Sequence, residues 1–360
     1  MKILDRYLVK QFLQTLLFAL LAFILLFIVI DMMENLDDFI DESVSGALIF
    51  QYYLVFMPEI IRLILPISVL LACLFTSGKM ANLNELTAIK ASGVSLYRYM
   101  APFLITAIII SAFTVYFSGY LVPMANKHRV YIEQNFMKKG LVRFGNNIFF
   151  QDDPNRIVTI SYFDVAAGQA NQVSIQEFNP KDKTKLVSRS DAFRMVYDTT
   201  KHTWQLFNGT TRNFSDQSES MEEFVVRDYP ALHFKPEDVI KKQRKPEEMT
   251  LSELSSFSEE QLRTGNDATR IQIAYQSRIA FSFASIIVVL FGLPISANKR
   301  KSGLAVQFGI NMVVTFVYLV FMKIFQAFGE NGAMNPILTA WLANIIFLIA
   351  AFVNLQRTMK

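Results

Sequence analysis

Between Leu16 and Ile30 every residue is apolar, and only Gln14 and Thr15 interrupt the extension of that run back to Phe12. Carried on to Met33, the stretch makes roughly twenty helical residues at ~1.5 Å each, enough to cross a ~30 Å hydrocarbon core. Backbone in hydrocarbon must satisfy its own hydrogen bonds, so such a run commits the chain to helix there. Five further segments read the same way: Tyr52 to Ser77, Met100 to Val122, Ile279 to Ala297, Leu304 to Phe328 and Ile337 to Val353. The expected architecture is an α-helical membrane protein with six spans, three before and three after an inserted all-β domain.

Averages over the chain agree with this and conceal it. Hydrophobic residues are 52% and charged residues only 18%, against about a quarter charged in soluble domains. Gly at 14, Pro at 11 and a single Cys exclude a collagenous, low-complexity or disulfide-built chain. A formal charge of +4 is too small to argue for nucleic acid, and none is expected as a partner. The first run is longer than a signal-peptide core and meets no small-residue cleavage site before Asp31, so it reads as a retained helix. Ahead of it, Ile3, Leu4, Tyr7, Leu8 and Phe12 share a helical face opposite Lys2, Arg6 and Lys10, the pattern of a short helix lying in the interface.

Lys and Arg set the orientation. Lys2, Arg6 and Lys10 precede the first span, Lys79, Lys90 and Arg98 lie between the second and third, and Lys299, Arg300 and Lys301 join the fourth and fifth. Arg357 and Lys360 close the chain, whereas the opposite loops carry Asp31, Glu34, Asp37, Asp38, Asp41, Glu42 and Glu330. Both termini are expected in the cytoplasm and the insert outside.

From about Met124 to Arg270 the composition becomes that of a soluble domain. Ile157 to Phe163, Val173 to Glu177, Ala192 to Tyr197, Thr203 to Phe207 and Thr210 to Phe214 are strand-like, with Asn208-Gly209 as a hairpin signal between the last two. Strands at this spacing without helices between them predict an antiparallel sandwich or roll. Lys241-Lys242-Gln243-Arg244-Lys245-Pro246 then reads as a linker, followed by a polar helix over Thr250 to Glu260 with Thr250 or Ser252 as its cap and Glu253 in its first turn.

Catalytic chemistry finds no support in the residues. His128, His202 and His233 are far apart and lack metal-ligand spacing to Cys or paired carboxylates. The one Gly-Lys pair, Gly78-Lys79, has Cys73 where a phosphate loop needs its first glycine. No cofactor is expected, and any ATP chemistry must reside on another polypeptide.

Four features are candidates for function. In Asn82 to Gly93 the residues Leu83, Leu86 and Ile89 recur at i+3, with Glu85 beside them, Asn82 placed to cap a short helix and Gly93 to end it. That stripe suits docking into a groove of a soluble partner; an ordinary interfacial turn fits it equally. Glu59 and Arg62, three apart between Pro58 and Pro66, either pair on one helix face or serve an ion-coupled transporter. Lys323 in the fifth span either snorkels to the outer interface or holds an anionic headgroup. Abundant Phe in the first and fifth spans fits lipid-facing packing or a cavity for acyl chains.

Together these motifs resemble the lipopolysaccharide export permease family (the LptF/LptG type) along essentially the whole chain. The resemblance rests on Leu4-Asp5-Arg6-Tyr7, Pro58-Glu59 with Leu65-Pro66, Glu85-Leu86-Thr87-Ala88-Ile89-Lys90-Ala91-Ser92-Gly93, and Asn331-Gly332 followed by Pro336. It implies a non-catalytic transport subunit of an ABC transporter in the inner membrane of a Gram-negative bacterium. Its implied partners are a dimeric cytoplasmic ABC ATPase, a second homologous permease, periplasmic jellyroll bridge proteins and lipopolysaccharide. Residues 1–123 would hold the interfacial helix and spans one to three, with a coupling helix at 82–92. Residues 124–270 would be a periplasmic β-jellyroll-like domain and linker, and 271–360 the last three spans. Glu85, Leu86, Ile89, Ser92 and Gly93 would couple to the ATPase; Phe27, Ile30, Phe316 and Lys323, on the first and fifth spans, would meet the lipid. Where some family members carry basic residues, the outer end of the first span is acidic here. A differently charged lipid, a divalent cation bridge or positive charge from the partner permease would each accommodate that. Outside this family, the chain also suits a membrane-anchored sensor or scaffold whose outer domain binds protein or glycan.

Overall fold

The computed structural model describes residues 3–137, 139, 144–164, 168–199, 201–215, 218–230, 232–236, 239, 245–264, 266–297 and 304–358. Lys2, Lys241 to Arg244, Lys299 to Lys301 and Lys360, used above for orientation or the linker, lie outside them. Two compact units emerge, one of residues 1–132, 247–254 and 269–360, the other of residues 133–246 and 255–268.

The first unit is helical, and six of its helical stretches are long and apolar enough to cross a membrane. α1 (Ile3–Glu34) is one continuous helix. This corrects the expected separate interfacial helix. Leu8 and Phe12 are fully buried and continue the packed stripe of Leu16 and Ala19, so the helix runs unbroken from one stretch into the other. α2 (Leu36–Asp41) is a short helix in the acidic loop, anchored by buried Phe39 edge-on to Tyr52 at 5.9 Å and Tyr53 at 6.3 Å. α3 (Gly46–Asn82) runs through Pro58 and Pro66, and α4 (Glu85–Ala91) follows it after a two-residue break. α3 itself ends at Asn82, so Asn82 is not the cap of α4; Asn84, at φ +60°, makes the corner instead.

The third span is longer than its apolar core. α5 (Leu96–Tyr116) passes through a π-helical turn (Phe117–Leu121) into α6 (Val122–Phe136). At that turn an added Cβ on Gly119 would meet Leu251 Cδ1 at 2.5 Å, so the small residue admits the leucine. After a 3-10 turn (Pro246–Glu248), α7 (Leu251–Thr264) opens with a reciprocal cap: Glu253 N–H donates to Thr250 Oγ1 at 3.3 Å, and Thr250 N–H donates to Glu253 Oε2 at 2.8 Å. α8 (Thr269–Ser282) and α9 (Ala284–Ala297) form the fourth span, which starts ten residues before the apolar run does, and α10 (Leu304–Glu330) and α11 (Pro336–Thr358) complete the set. A core of Leu8, Phe12, Val69, Cys73, Phe103 and Leu293 joins α1, α3, α5 and α9.

The second unit carries one antiparallel six-stranded sheet in sequential order: β1 (Phe144–Asp153), β2 (Arg156–Asp164), β3 (Gln169–Phe178), β4 (Leu186–Asp198), β5 (Thr203–Ser215) and β6 (Ser218–Tyr229). The Asn208-Gly209 hairpin does not form; β5 runs straight through it. What Asn208 marks is a crease. Every strand pair skips one position and resumes in the same register, and the skipped residues Asn147, Ser161, Gln172, Phe193, Asn208 and Val225 fall in a line across the sheet. Gln172 and Asn208 adopt left-handed backbone there, with φ of +51° and +50°. The buried positions change phase at the same line, from Val158 and Ile160 to Phe163 on β2 and from Ala170 to Val173 and Ile175 on β3. Residues from both sides of the crease line one core, closed by Trp204, whose indole N–H donates to the Phe234 carbonyl at 2.7 Å.

Candidate functional site

α4 is only about 10 Å long, far below the length at which a helix persists alone, so its shape comes from its ends and its anchor. Gly93, at φ +82°, follows the last turn; Val94 N–H donates to the Ile89 carbonyl and Ser92 N–H to that of Ala88, a Schellman-type stop. The Ser92 hydroxyl adds a bond to the Ile89 carbonyl at 2.8 Å. Leu86 is 4% exposed and packs into the helical core, with Ile89 partly buried beside it. The apolar stripe is therefore split: Leu86 and Ile89 face this chain's own helices, and Leu83, 59% exposed, is left outside. Among the described side chains, the outer surface of the segment is Leu83, Asn84, Thr87, Ala88, Ala91, Ser92 and Gly93.

Glu85 stands at the rim of that surface. Tyr7, 78 residues away on the second turn of α1, donates its hydroxyl to Glu85 Oε2 at 3.0 Å. Close by, Arg98 in the first turn of α5 pairs with Asp5 at 2.7 Å, the Asp5 side chain being 10% exposed. Neither contact has a signature in local sequence, because each joins segments dozens of residues apart.

The other candidate residues lie on the two spans least buried by their own chain, α1 and α10. α1 packs on α3 and α5, and α10 chiefly on α11, α8 and α9. Phe27 and Ile30 on α1 and Phe316 on α10 are exposed, at 37%, 46% and 66%. They belong to long bare apolar faces that include Leu17, Phe18, Leu21 and Leu25 on α1 and Val313, Val317 and Phe328 on α10. Lys323 is exposed on α10 and stands 3.5 Å from Gln326 Oε1; Gln326 in turn donates to Glu330 at 3.0 Å. At the C-terminal end of α1, Glu34 is exposed, as are Asp37 and Asp41 on α2.

Glu59 and Arg62 pair with each other, Arg62 Nε donating to Glu59 Oε2 at 3.0 Å. Asn126 of α6 donates to the same oxygen at 3.3 Å and to the Glu247 carbonyl at 3.4 Å. Arg278 of α8 donates to the Met249 carbonyl, and Lys127 bonds Glu253 at 2.7 Å. These contacts bind α3, α6 and α8 to the strap 247–253, which is a structural task. Burial tends to raise the Glu253 carboxyl, but the Lys127 ammonium and the Thr250 N–H and hydroxyl outweigh it and bring it down to about 2. Among the described residues no group of three or more His, Cys, Asp or Glu is placed to hold a metal.

The family model described as lipopolysaccharide export system permease LptF/LptG matches residues 6–357. The lipopolysaccharide export system permease protein LptF of Escherichia coli K12 is 22% identical over 99% of this chain and 96% of its own length. That of Shigella flexneri matches to the same extent. The LptG protein of E. coli K12 is likewise 22% identical, over 99% of this chain and 98% of its own.

Proposed function

Because the chain belongs to the lipopolysaccharide export system permease LptF/LptG family, we propose that it is one of two permease subunits that lift lipopolysaccharide out of the outer leaflet of the inner membrane, driven by a separate cytoplasmic ABC ATPase. The observation that carries this reading is the pairing of bare apolar faces on α1 and α10 with an outward-facing, rigidly terminated α4 bearing Glu85. Bare faces of that extent on two spans suit a second permease and the acyl chains of a lipid. Phe27, Ile30 and Phe316 would contact the chains, while Lys323 would meet a phosphate.

On the cytoplasmic side Glu85 offers a carboxylate to a basic group of the ATPase. Leu86 and Ile89 brace the helix from within, and Ser92 with Gly93 fixes its end. The excess of Lys and Arg in the same set of loops supports cytoplasmic termini. The β-unit would then lie in the periplasm and hand lipid to bridge proteins of similar fold. The test is charge reversal: Glu85→Lys is expected to abolish association with the ATPase subunit and lipid export while leaving membrane insertion intact. Unimpaired association and export would refute the coupling role.

A further inference from the structure

The start of α1 carries Leu4-Asp5-Arg6-Tyr7, whose side chains the transport reading above leaves without a task. Asp5 and Tyr7 are two residues apart, about 200° around the helix, and each is held by a different element. Asp5 is buried against Arg98 at the head of α5, and Tyr7 reaches Glu85 at the head of α4. Between them Leu8 and Phe12 are fully buried in the cluster that also contains Leu86, Tyr99 and Phe103. The base of α1 is therefore gripped by α4 and α5 from separate directions.

We infer that Tyr7 is a positioning residue for Glu85, and that the Tyr7–Glu85 and Asp5–Arg98 contacts make the first turns of α1 part of the docking element, so that movement of α4 passes directly into α1. This rests on Glu85 being the docking carboxylate. A glutamate on a seven-residue helix has three side-chain torsions to order when it meets a partner, which costs conformational entropy. A tyrosine ring turns about only two and is stiff. Its hydroxyl bond to a carboxylate is charge-assisted, stronger than a neutral one. Finally, a carboxylate accepts about four hydrogen bonds, so Tyr7 orients Glu85 and leaves sites open for a basic group. The same bond ties α4 to α1, one of the two spans with bare faces, without passing through α3.

The experiment is a double-mutant cycle on the full-length protein in its membrane complex, reading affinity for the nucleotide-binding subunit that co-purifies with the wild-type chain. Tyr7→Phe keeps the ring and removes only the hydroxyl. It is expected to weaken association about three- to tenfold, the worth of one exposed charge-assisted hydrogen bond. In a Glu85→Ala background it should have no further effect. A Tyr7→Phe chain that binds as wild type overturns the inference. So does a Tyr7→Phe effect that persists undiminished in Glu85→Ala, since that is a structural role independent of the carboxylate. If Glu85→Ala alone leaves association intact, the docking reading itself fails. Transmission to α1 has its own readout: a spin or fluorescence label at Phe18 should report a nucleotide-dependent change that Tyr7→Phe combined with Asp5→Asn reduces. An undiminished change overturns the transmission.

Discussion

Gly209→Ala is the substitution most sensitive to the crease in the β-sheet. A Cβ at residue 209 would press on the Asp191 carbonyl oxygen, lie 2.6 Å from Phe224 Cζ and 3.0 Å from Ala192 Cα. Two of those three atoms are backbone of β4, so the strands must part; no side-chain rotation relieves the contact. Overpacking of this kind costs ~1–3 kcal/mol, and loosening the neighbouring ladder bond adds ~1 kcal/mol, giving ~2–4 kcal/mol in all. For a unit on the order of a hundred residues this lowers the unfolding midpoint by about 10–20 °C. Trp204 is fully buried in that unit and the chain has only two tryptophans, so thermal unfolding followed by fluorescence in a Trp341→Phe background reads the β-unit alone. Two controls bracket the result. Asn208→Gly should be neutral or stabilising by up to ~1 kcal/mol, since φ at 208 is already left-handed. Gly46→Ala lies in the helical unit with open space around its Cβ and should leave the midpoint of the β-unit unchanged. A Gly209→Ala chain that unfolds at the wild-type temperature would refute the close approach of β4 and β5, and with it the crease.

Three further outcomes are expected. Gly119→Ala should destabilise the helical unit by ~1–2 kcal/mol by displacing Leu251, yet be nearly neutral in a Leu251→Ala background; equal effects in both backgrounds would show that the two residues do not meet. The Glu253 carboxyl is held down to about 2, below its ordinary value, so its contribution is full above pH ~4.5 and is lost as pH falls toward ~2. Since the Glu253 side chain is 41% exposed, solvent screening limits it to ~1 kcal/mol, and the thermal midpoints of wild type and Glu253→Gln should converge on acidification; a gap that stays constant from pH 7 to pH 3 would contradict the pairing. Lys323→Glu should weaken photocrosslinking of lipid to the α10 face, and unchanged crosslinking would return Lys323 to an interfacial role.

The membrane spans were legible because a bilayer leaves little choice: an apolar run of that length must be helix. Where two of them end was not, since α6 and the first turns of α8 continue into polar sequence held by Asn126, Lys127 and Arg278, whose partners lie more than a hundred residues away or on the strap. Thr250 and Glu253 made their cap where their spacing placed it, because a capping box is a local interaction. Asn208-Gly209 misled for the opposite reason. Asn208 does adopt left-handed backbone, but the neighbouring strands decide whether such a residue makes a hairpin or a crease. At α4 the i+3 spacing identified a stripe and was silent on which side would be covered; Leu86 turned inward. The Tyr7–Glu85 bond, across 78 residues, is a tertiary fact.

The measurement that bears most directly on the transport reading is purification of the chain from its native membrane, with identification of every bound subunit and analysis of bound lipid. The expected result is a complex containing a nucleotide-binding subunit, a second permease related to this chain, and lipopolysaccharide. Recovery of the chain with neither nucleotide-binding subunit nor lipopolysaccharide would contradict it.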